Sequence, residues 1–276
     1  MTVLLAGLCT IDVVQRVEEL PAPGEKVQSL SVDVAAGGPA TNAAVTVAAL
    51  GGDARLVTVL GSHPLAALAR ADLAACGVDL VDLAPDHPEP PSLSAVAVRD
   101  RDGERTVVSR NAGHLNIEVS SLEQADISAV LVDGHHPALA LAAARWAREH
   151  DVPVVLDAGS WKPVLDELLP LVDIAACSAH FRAPGPNLLE RGVGTVIVTA
   201  GPDPVRWWTA EGAGTVPVAP VEARDTLGAG DVWHGALAYG VGRFELPELI
   251  RFANEVAARR VRQVGPRSWV REMGVR

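Results

Sequence analysis

A chain of 276 residues, 49% of them hydrophobic, can bury a sizeable core, which excludes a mainly disordered protein. Thirty-four acidic residues against 23 basic ones leave a formal charge of −11, which opposes close approach to nucleic-acid backbones and anionic membranes, so neither is an expected partner. Three cysteines, Cys9, Cys76 and Cys177, are far apart and odd in number; they exclude a disulfide framework or a Cys-x-x-Cys metal knuckle and fit a reducing cytoplasm.

The opening MTVLLAGLCTIDVV has no basic leader, and its apolar run is broken by Gly7 and Asp12, so it reads as a strand over 3–7 and not as a signal peptide. Residues 13–36 then alternate in strand fashion. ATNAAVTVAAL at 40–50 is helix-like, ARLVTVL at 54–60 a strand, and LAALARADLAACG at 65–77 a second helix. APDHPEPP at 84–91 is a stiff, extended connector. SLSAVAVRD and ERTVVSR, within 92–109, read as a hairpin about the turn Arg101-Asp102-Gly103. Further on come a strand at 129–134, a helix at 137–150, strands at 152–159 and 195–201, and a long helix within 245–265.

The main runs lack polar alternation, as expected of strands covered by helices on both faces. They predict one α/β domain over 1–276 around a mainly parallel sheet. The pieces at 13–36 and 92–109 stand apart from that rhythm, as a small lid. No apolar run is long enough for a membrane span.

Asp225-Thr226-Leu227-Gly228-Ala229-Gly230-Asp231 places two acids around a turn of small residues ahead of the helix-like VWHGALAYGV. Such a turn lets backbone approach a ligand closely, and a helix starting there aims unpaired amides and a positive dipole end at an anion. Asp231 would sit in the first turn, placed to take a proton from a hydroxyl attacking a bound phosphoryl group. The same pattern also describes an ordinary helix start whose acid complements the dipole. Neither the dinucleotide fingerprint nor a P-loop is present. Near the other end, Gly37-Gly38-Pro39-Ala40-Thr41-Asn42 puts two glycines before a helix with an amide in its first turn, and Asp12 closes the stretch after Gly7. An acid and an amide at the carboxyl end of a sheet can grip vicinal hydroxyls.

DTLGAGDVWHGAL and GGPATN, with Asp12 five residues after Gly7, resemble the two signatures of the ribokinase-like (PfkB) carbohydrate kinase family, over nearly the whole chain. GGPATN, GERTVV, VVLDAG and RFANEVAA look closest to its ketohexokinase and sulfofructose kinase branches. The resemblance implies a three-layer α/β sandwich with a mainly parallel central sheet and a small β lid. It implies an ATP- and Mg²⁺-dependent phosphotransferase acting on a ketose or related furanose, with Asp231 as base and Gly228, Ala229 and Gly230 as anion hole.

Asp12, Gly38 and Asn42 match sugar-contact positions. Asp133 lies near a further sugar-contact acid, or is a strand-end acid facing solvent; His135 and His136 after it read as loop residues. Arg105 resembles a lid arginine that reaches substrate or phosphate, or is a solvated hairpin residue. Thr199 and Gly201 would border adenosine, and Asn254 approach adenine on a helix that otherwise packs Phe252, Val256 and Ala257 into the core. Asp157 would act on the metal through water. Asp225 and the loop around Gly265 match a K⁺ site of some members. Family members often pair through their lids, which makes a homodimer the expected assembly. Ser178-Ala179-His180-Phe181 departs from the family's Asn-x-x-Glu, Ser62-His63-Pro64 from its Gly-x-Asp, and TAGPDP lacks the second glycine of the nucleotide loop. A nucleoside kinase and a binding regulator that has lost catalysis are the alternatives.

Overall fold

The computed structural model describes residues 1–112, 117, 119, 126–185 and 187–273. Seven strands run parallel in the main sheet: β1 (Thr2–Ala6), β4 (Asp53–Thr58), β5 (Asp79–Asp82), β8 (Ile127–Val132), β9 (Val154–Ala158), β10 (Ile174–Ser178) and β11 (Thr195–Ala200). Two antiparallel strands, β12 (Asp203–Thr209) and β13 (Ala213–Val216), extend it at one edge, giving the order β13-β12-β11-β10-β9-β8-β1-β4-β5.

Burial explains why these strands read as unbroken apolar runs. Val3 and Leu5 of β1 enter one core, while Leu4 and Ala6 enter the other. The first core is closed by α1 (Pro39–Ala49), α2 (Ala66–Ala75), α5 (Ala229–Gly240), α6 (Leu246–Val261) and α7 (Ser268–Glu272); the second by α3 (Pro137–Glu149) and the short α4 (Leu165–Leu168). With helices on both faces, every position along β1 has an apolar partner, and no polar face is needed. The result is the three-layer α/β sandwich expected. Among the described residues no helix is long and apolar enough to cross a membrane.

The two odd segments form a separate four-stranded sheet of β2 (Thr10–Val17), β3 (Ser31–Gly37), β6 (Ser92–Arg99) and β7 (Arg105–Arg110), in the order β3-β2-β6-β7. It begins three residues earlier than the pattern predicted, because β2 follows β1 after only a short turn. β2–β3 and β6–β7 are antiparallel hairpins, and β2 pairs with β6 in parallel. Here the alternation is real. Asp12, Val14, Ser94 and Val96 share one face, turned toward the main domain, with Val14 and Val96 buried. Val13, Val34, Ala95 and Val108 line up in register on the other, where Val34 is 47% and Val108 71% exposed.

Candidate active site

Strands β1, β4 and β8 deliver their carboxyl ends beneath the small sheet, and α1 and α5 start there. Gly228, in the left-handed region at φ 71°, is the N-cap of α5, so Asp231 falls in its first turn. A side chain at Gly228 would strain that conformation. At the start of α1, Gly38 plays the matching part and sets Asn42 one turn in. The two helices pack against each other, and Asn42 Nδ2 donates to Asp231 Oδ2 at 2.8 Å.

Asp12 comes from β2 on the inward face, where Thr10 donates to its Oδ1 at 2.6 Å. Gly37 on β3 must lack a side chain, since a Cβ there would collide with the Asp12 carboxylate. Asp12, Gly38, Asn42, Gly228 and Asp231 share a polar cleft of about 550 Å³, together with Arg267. Arg267 was not anticipated. Its guanidinium binds both Asp72 carboxylate oxygens (Nε to Oδ2 3.1 Å, Nη2 to Oδ2 2.8 Å, Nε to Oδ1 3.3 Å), donates to the Ala36 carbonyl, and reaches Asn42 Oδ1 at 3.4 Å. A chain from Asp72 through Arg267 and Asn42 therefore orients Asp231.

Burial, followed by the nearby Asp157 carboxylate, pushes the Asp231 pKa up to about 6. Burial also raises that of Asp12, against the hydrogen bonds from Thr10 and Ser94. At neutral pH Asp231 is mostly ionised yet basic enough to accept a proton.

Across the same turn lies a larger, mainly apolar cleft of about 1400 Å³, lined by Thr199, Gly201, Ala229, Gly230, Asn254 and Arg105 among others. Val205, Val218, Trp233 and Ala257 supply its apolar walls. The Asn254 amide is held in place, accepting from Trp233 Nε1 (2.8 Å) and donating to the Pro217 carbonyl (3.3 Å). Arg105, at the start of β7, lies on this side and not in the polar cleft; it donates to Thr226 Oγ1 at 2.9 Å. The Ala229 amide donates to the Thr226 carbonyl at 3.2 Å. The 228–231 turn is thus a wall common to both clefts.

Three acids singled out from the sequence line neither cleft. Asp133, at the end of β8, is 1% exposed and neither solvated nor open to a ligand. It accepts from the amides of Leu8 (2.8 Å), His135 (2.9 Å) and Ala40 (3.2 Å), fastening the loop after β1 to the start of α1. Asp157 is 5% exposed, and its Oδ2 bonds His234 Nδ1 at 2.7 Å, one helical turn below Asp231. Burial opposes ionisation of Asp157, but His234 outweighs it and holds the carboxyl below the usual range; burial likewise opposes charge on His234, and the pairing with Asp157 outweighs it and raises the imidazole. Asp225 is 2% exposed and committed to Arg16, Arg260 and two backbone amides. His136 immediately precedes α3 and His135 lies before it in the loop, with no metal-binding group of three or more His, Cys, Asp or Glu among the described residues.

A three-layer sandwich whose helix-starting glycine turn divides a polar cleft from an apolar one is the framework of a phosphotransferase with an alcohol acceptor. A family model described as pfkB family carbohydrate kinase matches residues 2–272, and the chain belongs to that family. The ATP-dependent ribose-1-phosphate kinase of Halopiger xanaduensis is 30% identical, with 96% of this chain and 94% of that protein aligned. Ribokinase of Bacillus subtilis is 24% identical, with 93% and 91% aligned. The structure of Arabidopsis thaliana ribokinase complexed with ribose and ATP covers 100% of this chain and 99% of its own, with a TM-score of 0.76 at 22% identity, a likeness of fold.

Proposed function

We propose that the protein transfers the γ-phosphoryl group of ATP to a hydroxyl of a furanose sugar. The observation that carries this reading is the shared wall: Gly228 and Asp231 face the polar cleft, Ala229 and Gly230 the apolar one. A sugar held by Asp12, Gly38 and Asn42 would present a hydroxyl to Asp231, while ATP in the apolar cleft would lay its phosphates over the start of α5. The amides of Gly228 and Gly230 would stabilise charge on the transferring group, the Ala229 amide being engaged by the Thr226 carbonyl. Thr199, Gly201 and Asn254 would border the nucleoside, and Arg105 would lie near the phosphates. The ketose preference implied by the ketohexokinase-like segments has no counterpart in the named relatives, whose names point to ribose and ribose 1-phosphate, so a pentofuranose ranks first.

Mg²⁺ would neutralise phosphate charge when bound. The residues present do not form a cage for it: the Asp157 carboxylate is buried against His234, and Ser178-Ala179-His180-Phe181 offers no glutamate. The metal would therefore arrive with the nucleotide.

The small sheet would act as a lid over the sugar. Its apolar outer row, Val13, Val34, Ala95 and Val108, would seat the same row of a second copy. Val108→Lys should then shift a sedimenting dimer to monomer; an unchanged sedimentation coefficient removes this face from consideration.

The deciding assay is ADP release from MgATP across pentoses, ketoses, sugar phosphates and nucleosides, with Asp231→Asn beside the wild type. Pentose-dependent release lost in the variant is the expected result. Release with nucleosides alone would make the protein a nucleoside kinase. Silence across the panel, with a sugar still raising the melting temperature, would make it a binding regulator.

A further inference from the structure

The resemblance implies a K⁺ site around Asp225 and Gly265, and the residues there do not fit one. Asp225 Oδ1 accepts from the Leu227 amide and Oδ2 from the Gly265 amide, both at 3.0 Å. Two guanidinium groups, from Arg16 on β2 and Arg260 on α6, each approach Oδ2 to 3.4 Å. Arg260 is 2% exposed. Its Nη2 donates to the Leu227 carbonyl at 2.7 Å, and its Nη1 to the carbonyls of Gln263 (2.9 Å) and Asp225 (3.4 Å). The oxygens that would have to surround a monovalent cation already converge on one guanidinium, and a second closes the approach from the small sheet. A further cation would lie against both positive charges at the edge of the polar cleft, which Arg260 and Leu227 help to line.

We propose that Arg260 is a positioning residue standing in for a monovalent cation, fixing the 225–227 turn and thereby the amides of Gly228 to Gly230 without any dissociable ion. A guanidinium suits the task because it is always charged, carries only donors, and holds them in a rigid planar fork. Burial opposes ionisation of Asp225, yet Arg260, the two amides and Arg16 outweigh it and keep the carboxyl below its ordinary range. Asp100 balances Arg16 at 3.3 Å, so the cluster of two acids and two arginines is neutral as built. An ion binds in proportion to its concentration, whereas this arginine is present in every molecule. Turnover is then indifferent to potassium.

This role rests on the phosphoryl-transfer reading above, so melting temperature is read beside activity. Wild-type kcat and Tm are compared in potassium chloride and in choline chloride at equal ionic strength. The expected result is a kcat equal within about twofold and no potassium-specific rise in Tm. Arg260→Ala should lower kcat by about tenfold or more while the sugar KM stays within about twofold, the pattern of an interaction acting on the transition state. Potassium, and not choline, should raise both the kcat and the Tm of that variant by occupying the vacated oxygens. If Arg260→Ala does not fold, Arg260→Lys keeps the charge with fewer reachable carbonyls; it should lose kcat and remain indifferent to potassium. A wild type activated tenfold or more by potassium, or stabilised by it specifically, overturns the proposal. So does a folded Arg260→Ala with wild-type kcat, or one whose Tm ignores potassium. Should no sugar support turnover, the function reading fails while the Tm comparison still decides this one.

Discussion

The two clefts that share the 228–231 turn are built in opposite ways. On the polar side one chain of hydrogen bonds holds the side chains in place: Asp72 to Arg267, Arg267 to Asn42, and Asn42 to Asp231. The apolar side is shaped by Val205, Val218 and Ala257, with one anchored amide at Asn254. A reacting proton has to be met at a fixed atom, which demands a network of oriented donors and acceptors. A flat ring demands only a slot of the right width with a few polar groups. Damage to the first cleft should therefore appear in kcat, and damage to the second in the KM for ATP.

The largest effect is expected at Asp231. Asp231→Asn should cost about 10²–10⁴ in turnover and at the same time stabilise the fold at neutral pH. The raised pKa means that the folded protein keeps a proton which the unfolded chain releases between the ordinary value of 3.8 and about 6. The contribution of this carboxyl to stability is thus lost as pH climbs through that window. Calorimetry at pH 7.5 should show a Tm higher by roughly 2–4 °C per kcal/mol recovered. In the wild type, kcat should fall as pH drops through about 6, where the base takes up its proton.

Arg267→Met comes next. It frees Asn42 and leaves Asp72 without its counter-charge, held only by the Ala36 amide at 2.9 Å, so kcat should fall roughly 10–100-fold and stability by about 2–4 kcal/mol. Adding Asp72→Leu should restore part of the stability measured by urea unfolding, since the Ala36 amide then loses its acceptor, but not turnover; recovery of turnover would reduce Arg267 to a scaffold residue. Trp233→Phe, on the apolar side, removes the Nε1 donor that anchors Asn254 and leaves a void where the buried indole packs. The KM for ATP should rise about three- to tenfold with kcat nearly intact, the lost hydrogen bond contributing about 1 kcal/mol and the void appearing as a lower Tm. A larger fall in kcat than in ATP affinity would erase the contrast between the clefts.

The sequence shows this division only in part. Strand and helix runs are local patterns, so five strands of the main sheet and the two hairpins of the small one can be read directly, while the short β5 and β10 are not among the runs read. The glycine turn and its acid are likewise contiguous. The antiparallel edge formed by β12 and β13 went unread, because Trp207 and Trp208 interrupt any simple alternation. The charge partners could not be read at all. Arg267 meets Asp72 across 195 residues, and His234 meets Asp157 across 77. An acid at a strand end looks the same whether it greets a ligand or, like Asp133, collects three backbone amides. Arg260 lies in a plain amphipathic pattern, and only the return of the 225–227 turn over α6 gives it a purpose.

The seam between β2 and β6 also sets an order of events as the chain folds. Each hairpin of the small sheet is a local product, whereas their parallel joint, from Thr10 against Ser92 to Val17 against Arg99, unites segments from opposite ends of the first hundred residues. Non-local pairing forms late because the intervening loop must first be closed. On the ribosome, the first hairpin therefore waits with an unpaired edge while β4, α2 and β5 are made. The stretch just before Ser92 thus sets when the seam closes, and a nick within 84–91 should slow its reassembly after unfolding while leaving the paired strands joined in the folded protein.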